Sequence, residues 1–186
     1  MTEKRIDLKE LSKTAICVAL LSVSSFMAFP LPFTPVVLSL QTVMVNIMGI
    51  VLKLKNAFYG VFTYILMGLI GLPVFSAGTS GPGKLFGPTG GFYFGFLFSA
   101  VAISLLKGKD IDFKRYAVTT VFVGIPIQHI CAVLVMCMHN GFNLKGGIMS
   151  VSAPFIIGDI FKAIASSVIG VALNKALRNL GKFHGG

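Results

Sequence analysis

Six stretches of this sequence, at about 13–29, 36–52, 57–72, 92–106, 116–138 and 152–178, run almost free of charge. Inside a bilayer no water bonds the backbone, so a chain that crosses one must satisfy its own N–H and C=O groups. Each stretch lies near or above the roughly 17 apolar residues that a helix needs to span the hydrocarbon core. Pro30, Pro32 and Pro35 close the first stretch, Lys53 and Lys55 the second, and Pro73 the third. Pro126 predicts a kink within the fifth. The expected fold is therefore an all-α integral membrane protein, a compact bundle of six transmembrane helices. It forms a single domain over 1–186, because the short connections leave no room for a soluble one. Only 12% of residues are charged, against about 25% in a soluble domain.

The formal net charge of +10 raises the question of nucleic acid. The basic residues form no continuous patch, however, and sit in the breaks between apolar runs, where they act as topology signals. Lys4, Arg5, Lys9 and Lys13, then Lys53 and Lys55, then Lys107, Lys109, Lys114 and Arg115, then Lys175, Arg178 and Lys182 fall on one side, thirteen in all. Only Lys84 and Lys145 fall on the other. The positive-inside rule then predicts a multi-pass protein of the cell membrane with both termini cytoplasmic. Met1 to Ser12 is too charged for a secretory signal peptide and could form a short surface helix. Cys17, Cys131 and Cys137 lie in apolar stretches without a CxxC, which predicts reduced packing residues.

Asp159 and Lys162 are the only full charges deep within an apolar stretch, and their i, i+3 spacing puts them on one helix face. An ionisable group at membrane depth costs roughly 2.5–3.5 kcal/mol on the lenient insertion scale, so it faces a cavity or a partner. Two readings stand at this point: an internal salt bridge that fastens helices, or a polar ligand site. The topology places the pair in the outer half of the membrane, with the Gly-rich loop from Phe75 to Gly91 and with Gln41.

Gly78-Thr-Ser-Gly-Pro-Gly-Lys84-Leu85 nearly spells a phosphate-binding loop. Leu85 replaces the metal-binding hydroxyl, Pro82 removes one N–H from the cradle, and no strand precedes it. It reads better as a flexible lid over an outward pocket, since Gly78, Gly81 and Gly83 permit unusual φ angles. Gly87, Gly91, Gly95 and Ser99 form a small-xxx-small stripe that lets another helix come close. Gly90 and Gly91 could serve that packing or could expose backbone groups to a ligand. Ala15 and Ala19 form a second such pair, either for packing or for docking another membrane protein. His129 and His139 have no carboxylate or Cys at metal spacing, and no catalytic constellation is evident.

Gly71-Leu-Pro-Val-Phe75 followed by Gly87-Pro-Thr-Gly-Gly-Phe-Tyr93 resembles the signature of the BioY family. These are the biotin-specific substrate-capture subunits of energy-coupling-factor transporters. Leu40-Gln41-Thr42 and Gly158-Asp159-Ile-Phe-Lys162 resemble further motifs of that family, and the likeness runs from about Ala15 to about Ala176. Phe92 departs from the Tyr that many members carry there. The resemblance implies six helices with a biotin pocket under the outer loops. It also implies partners: a transmembrane coupling subunit, met through Ala15 and Ala19, and two cytoplasmic ATPase subunits that hydrolyse ATP. The loaded subunit would then topple in the membrane lipid and release biotin inward.

The chemistry fits that implication. Biotin has a neutral ureido ring with N–H donors and a carbonyl, an apolar body and a terminal carboxylate. Asp159 suits the ureido N–H groups, and Lys162 suits an anion or neutralises Asp159 in the empty site. Phe75, Phe92 and Tyr93 can supply apolar walls, with Gln41, Gly90 and Gly91 close by. No cofactor, metal or nucleic acid is expected; biotin is the ligand. Three alternatives remain: a capture subunit for another small vitamin, a non-transporting membrane scaffold, and an intramembrane enzyme.

Overall fold

The computed structural model describes residues 7–30, 36–141 and 143–183, and side chains only as far as residue 179 at the C-terminal end. Lys4, Arg5, Pro32 and Pro35 lie outside the described residues, as does the side chain of Lys182. Helix α1 (Leu8–Ser24) is followed by a two-stranded antiparallel hairpin, β1 (Ala28–Pro30) and β2 (Val37–Ser39). Then come α2 (Gln41–Val51) and α3 (Leu54–Leu69). A long loop holds a 3-10 turn at Ser76–Gly78 and the single-turn helix α4 (Pro82–Leu85). After α5 (Gly91–Leu106), α6 (Phe113–Thr119) continues through π-helical turns at Thr120–Gly124 into α7 (Ile125–His139). The short α8 (Leu144–Val151) precedes α9 (Ile156–Phe183).

Two helical stretches among the described residues are long and apolar enough to cross a membrane alone: Phe113–His139 and Ile156–Asn179. Only 44% and 28% of their most apolar windows are buried inside the protein, so most of that apolar surface faces outward. Ile16, Val23, Phe122, Leu134 and Phe161 are among the exposed side chains. A lipid surround accounts for this arrangement; a soluble core helix would bury them.

The expected spans need correction at several points. The stretch at 36–52 opens with a strand, because Val37–Ser39 pairs with Ala28–Pro30 and the helix starts only at Gln41. Its helix has 11 residues, or about 16 Å at 1.5 Å per residue, about half the hydrocarbon thickness. The first helix begins at Leu8, capped by the Asp7 carboxylate on the Glu10 N–H, so no separate surface helix covers residues 8–12. The third helix lies three residues earlier than expected and ends at Leu69, with Gly71 at a φ of +105° closing the turn after it. Helix α8 forms in the stretch expected as a loop, because Asn143 caps it through the Gly146 N–H at 2.9 Å. Around Pro126 the expected kink takes the form of π turns that end at Gly124, two residues upstream.

Helix α5 is the hub, packed on α7, α2 and α3. A Cβ added at Gly91 would stand 2.3 Å from the Cys131 carbonyl oxygen, and one at Gly95 would stand 2.8 Å from Gln128 Cα. The small-residue stripe is thus the seam between α5 and α7, sealed by a 3.0 Å bond from Gln128 to the Ser99 hydroxyl. The main core, including Leu21, Val45, Met48, Val61, Tyr64, Phe75 and Phe96, fills the space among α1, α2, α3 and α5.

The two ends of the bundle differ in chemistry. At one end Glu10 meets Lys13, Lys53 and Asn56, Lys107 donates to the Leu52 carbonyl, and Arg115 donates to Leu106 O. At the other end the loop after α3 is tied to the ends of α1 and α3: Ala77 N–H donates to Ser25 O at 2.9 Å, and Gly81 N–H to Gly68 O at 2.8 Å. The cavity lies beneath that second end.

Candidate functional site

A cavity of about 490 Å³, its mouth included, opens between β2, the loop and the start of α5 on one side and α9 on the other. Its walls are Val36, Leu38, Phe92, Tyr93, Phe96 and Phe155; its polar lining is Ser39, Thr42, Ser76, Lys84, Thr89, Asp159 and Lys162.

Asp159 is 5% exposed and sits in the first turn of α9, where a helix favours negative charge. Its Oδ1 accepts from Lys162 Nζ at 3.0 Å, and its Oδ2 lies 3.1 Å from His129 Nε2. Lys162 also donates to the Ser39 backbone carbonyl at 3.0 Å, which ties α9 to the hairpin. His129 stands on α7 behind Phe92, whose ring meets it edge-on at 6.0 Å. The Nε2 contact with a carboxylate is satisfied by an Nε2–H donor, which leaves Nδ1 as the second ring nitrogen. That Nδ1 is buried without a hydrogen-bond partner.

Of the two readings for Asp159 and Lys162, the structure contains elements of both. The pair is an ion pair, and it also lines the cavity. His129, paired with no acid by sequence spacing, has one through tertiary contact, thirty residues along the chain. No metal-binding group of three His, Cys, Asp or Glu side chains occurs among the described residues.

Phe92 and Tyr93 line the cavity together with Asp159 and Lys162. Gln41, Phe75, Gly90 and Gly91 stand behind the lining. Gln41 is fully buried; its amide nitrogen donates to the Tyr64 hydroxyl and, at 3.3 Å, to Val74 O. Its amide oxygen accepts from the Ser76 hydroxyl at 2.6 Å. It thereby ties α2, α3 and the loop into one network. Phe75 is a buried plug stacked on Tyr93 at 4.2 Å and pressed onto Gly68, where a Cβ would stand 2.2 Å from the ring. The Tyr93 hydroxyl in turn accepts the Ser76 N–H at 3.1 Å. A Cβ at Gly90 would stand 1.8 Å from Leu85 O, so this glycine serves a tight turn. Ala15 and Ala19 lie on the exposed face of α1, with Ile16, Leu20 and Val23.

Lys84 was legible in the sequence only as a topology charge. It is half-buried at the cavity wall, and burial lowers its pKa from the ordinary lysine value. The available signal was its isolation, a single cation in a glycine-rich loop. Ser39, Phe96 and Phe155 carried no signal separable from packing, and Thr42 was marked only as the last residue of the Leu40-Gln41-Thr42 motif.

The family model described as "BioY family" matches residues 1–179. The chain is 33% identical over 184 residues to "Biotin transporter BioY2" of Lactococcus lactis subsp. cremoris (strain MG1363), covering 95% of this chain and 96% of that one. It is 33% identical over 168 residues to "Biotin transporter BioY" of Thermotoga maritima, covering 90% and 97%. The crystal structure of an S-component for biotin from an ECF-type ABC transporter superposes with a TM-score of 0.82 at 26% identity, covering 94% of this chain and 95% of that chain.

Proposed function

This chain belongs to the BioY family, and we propose from that premise that it is the biotin-capturing S subunit of an ECF-type importer. It is a transport subunit and not an enzyme. The observation that carries the reading is the buried Asp159 carboxylate, presented to a cavity with four aromatic walls and held between Lys162 and His129. Such an acceptor matches the ureido N–H donors of biotin, and the Phe92, Tyr93, Phe96 and Phe155 walls suit its apolar body.

The biotin carboxylate needs a cation that is not already committed. Lys162 is engaged by Asp159 and by the Ser39 carbonyl. Lys84 has no charged partner among the described contacts, and its burial opposes its own charge. An arriving carboxylate offsets that burial, so Lys84 is the assignment for the anionic end. Gln41, Phe75, Gly90 and Gly91 shape the floor and the rim.

The same reading gives the assembly. The chain crosses the lipid bilayer six times, with the basic end and both termini in the cytoplasm and the cavity opening outward. Ala15 and Ala19 dock a transmembrane coupling subunit joined to two cytoplasmic ATPase subunits, which supply the ATP hydrolysis. The loaded subunit topples and releases biotin inward.

Equilibrium binding of biotin to the purified, detergent-solubilised chain tests the proposal. Saturable binding that riboflavin or pantothenate does not displace is expected. Binding of another vitamin in preference would point to a different capture subunit, and binding of none would point to a scaffold.

A further inference from the structure

A second concavity opens at the opposite, basic end of the bundle. It is a cleft of about 730 Å³, its mouth included, between the C-terminal end of α2, the connection from α5 to α6, and the C-terminal half of α9. Ile50, Val51 and Ile111 supply its apolar lining, and Ile50 packs with Ile103 and Tyr116 in a core cluster of their own. Three cations, Lys107, Lys109 and Arg178, line it against one carboxylate, Asp110. They come from two separate basic stretches of the chain, and the packing of α9 on α2 and α6 brings them around one space.

Helix ends account for part of this charge, because the carbonyls at a helix C-terminus favour cations. Lys107 donates to the Leu52 carbonyl just past α2, and Arg115 donates to Leu106 O at 2.8 Å at the end of α5. Lys109 and Arg178 make no such bond, and no ion pair, among the described residues. Donors remain unused as well. Lys107 keeps two further N–H groups beyond the one on Leu52. Tyr116 is 3% exposed; its hydroxyl accepts from Asn174 Nδ2 at 3.0 Å, and its own hydrogen has no acceptor among the described residues. The backbone N–H groups of Gly108, Lys109, Asp110 and Ile111 are likewise unbonded there. Burial lowers the Lys107 pKa to about 8, a cost that a neighbouring anion offsets.

Cations and donors on three sides suit an anion with several acceptor oxygens, and a phosphate group has that form. Exposed Leu106 and Phe113 flank the connection, and exposed Leu173 adjoins Asn174, so apolar surface for acyl chains lies beside the charge. Basic pockets between membrane helices hold acidic headgroups in this way. We propose that this cleft binds a phosphate-type anion, as an acidic phospholipid headgroup or as free phosphate, between Lys109 and Arg178, with the Tyr116 hydroxyl donating to it. The site is separate from the biotin cavity and does not depend on it.

A ligand that binds the folded chain raises its melting temperature. The purified chain in neutral detergent is melted over a titration of dioctanoyl phosphatidylglycerol, of dioctanoyl phosphatidylcholine, and of inorganic phosphate against chloride at equal ionic strength. Saturable stabilisation by phosphatidylglycerol but not by phosphate assigns the site to a lipid headgroup; stabilisation by phosphate itself assigns it to the free anion. Lys109→Gln with Arg178→Gln should shift the midpoint of the effective ligand about tenfold higher, and Tyr116→Phe should shift it a few-fold. Lys114→Gln with Lys175→Gln removes the same charge from exposed positions outside the cleft and should leave the midpoint within twofold. No stabilisation by either anion overturns the proposal, as does equal stabilisation by phosphatidylcholine. A midpoint that moves equally in the two double variants, or in neither, overturns it too.

Discussion

At the scale of single residues, Asp159 both ties helices together and lines the cavity. It joins α9 to α7 through His129, and through Lys162 it reaches the hairpin. Removing one member of a buried ion pair typically costs 3–5 kcal/mol when the remaining charge is stranded. Lys162 would not be wholly stranded in Asp159→Asn, because it keeps the Ser39 carbonyl and borders a cavity that water can enter. The expected result is a variant that still extracts as a monodisperse protein and binds biotin roughly ten- to a hundredfold more weakly, the scale of a hydrogen bond to a charged group. Isothermal titration alongside thermal melting decides the matter. Unchanged affinity with a collapsed melting temperature would reduce Asp159 to a structural tie.

At the scale of elements, the loop between α3 and α5 divides into an anchored half and a freer half. Phe75 is fully buried, and the N–H groups of Phe75, Ala77 and Gly81 are bonded to Thr79, Ser25 and Gly68 carbonyls. Beyond Gly81 the bonds among residues 81–86 are local to the single turn of α4. Amide exchange should therefore slow on adding biotin chiefly over residues 82–89, which include the cavity-lining Lys84 and Thr89. Equal exchange with and without ligand would remove the lid assignment.

The opposite end of α5 offers a pH test. Lys107, just past the helix, is pushed by burial to a pKa of about 8, with Glu10 opposing that shift and Lys13 adding to it. An unfolded lysine titrates near 10.5, so between these values the unfolded chain holds more protons and stability rises with pH. The melting temperature should climb from pH 8 toward pH 10 in the wild type, and Lys107→Met should flatten that rise. A slope unchanged by the substitution would show that other groups produce it.

At the scale of the whole molecule, the cavity and the exposed small-residue pair of α1 lie apart. The cavity lies at one end, while Ala15 and Ala19 sit on the exposed face of α1 among apolar side chains. Small residues there permit close approach by another helix. Ala15→Trp and Ala19→Trp should leave biotin binding by the isolated chain unchanged and sharply reduce uptake in cells that carry the coupling module. Loss of binding in the isolated variants would place these residues in the pocket's support and count against docking.

The sequence by itself determined the helical membrane class, the basic end, the Asp159–Lys162 pair and the GPTGG turn, because each rests on local chemistry. Charge is excluded from apolar spans, residues at i and i+3 share a helix face, and glycine permits close backbone contact. Only the tertiary structure decided which polar groups meet. His129 reaches Asp159 across thirty positions, and Lys162 reaches Ser39 across 123. Likewise, Gln41 is a buried strut and not a wall because Tyr64, Val74 and Ser76 converge on it from α3 and the loop. The strand within 36–52 was hidden for the same reason: Val-Leu-Ser suits helix or strand, and pairing with Ala28–Pro30 made the choice. Periodicity and spacing record what a residue does within its own element; partners from distant elements are set by how the helices pack.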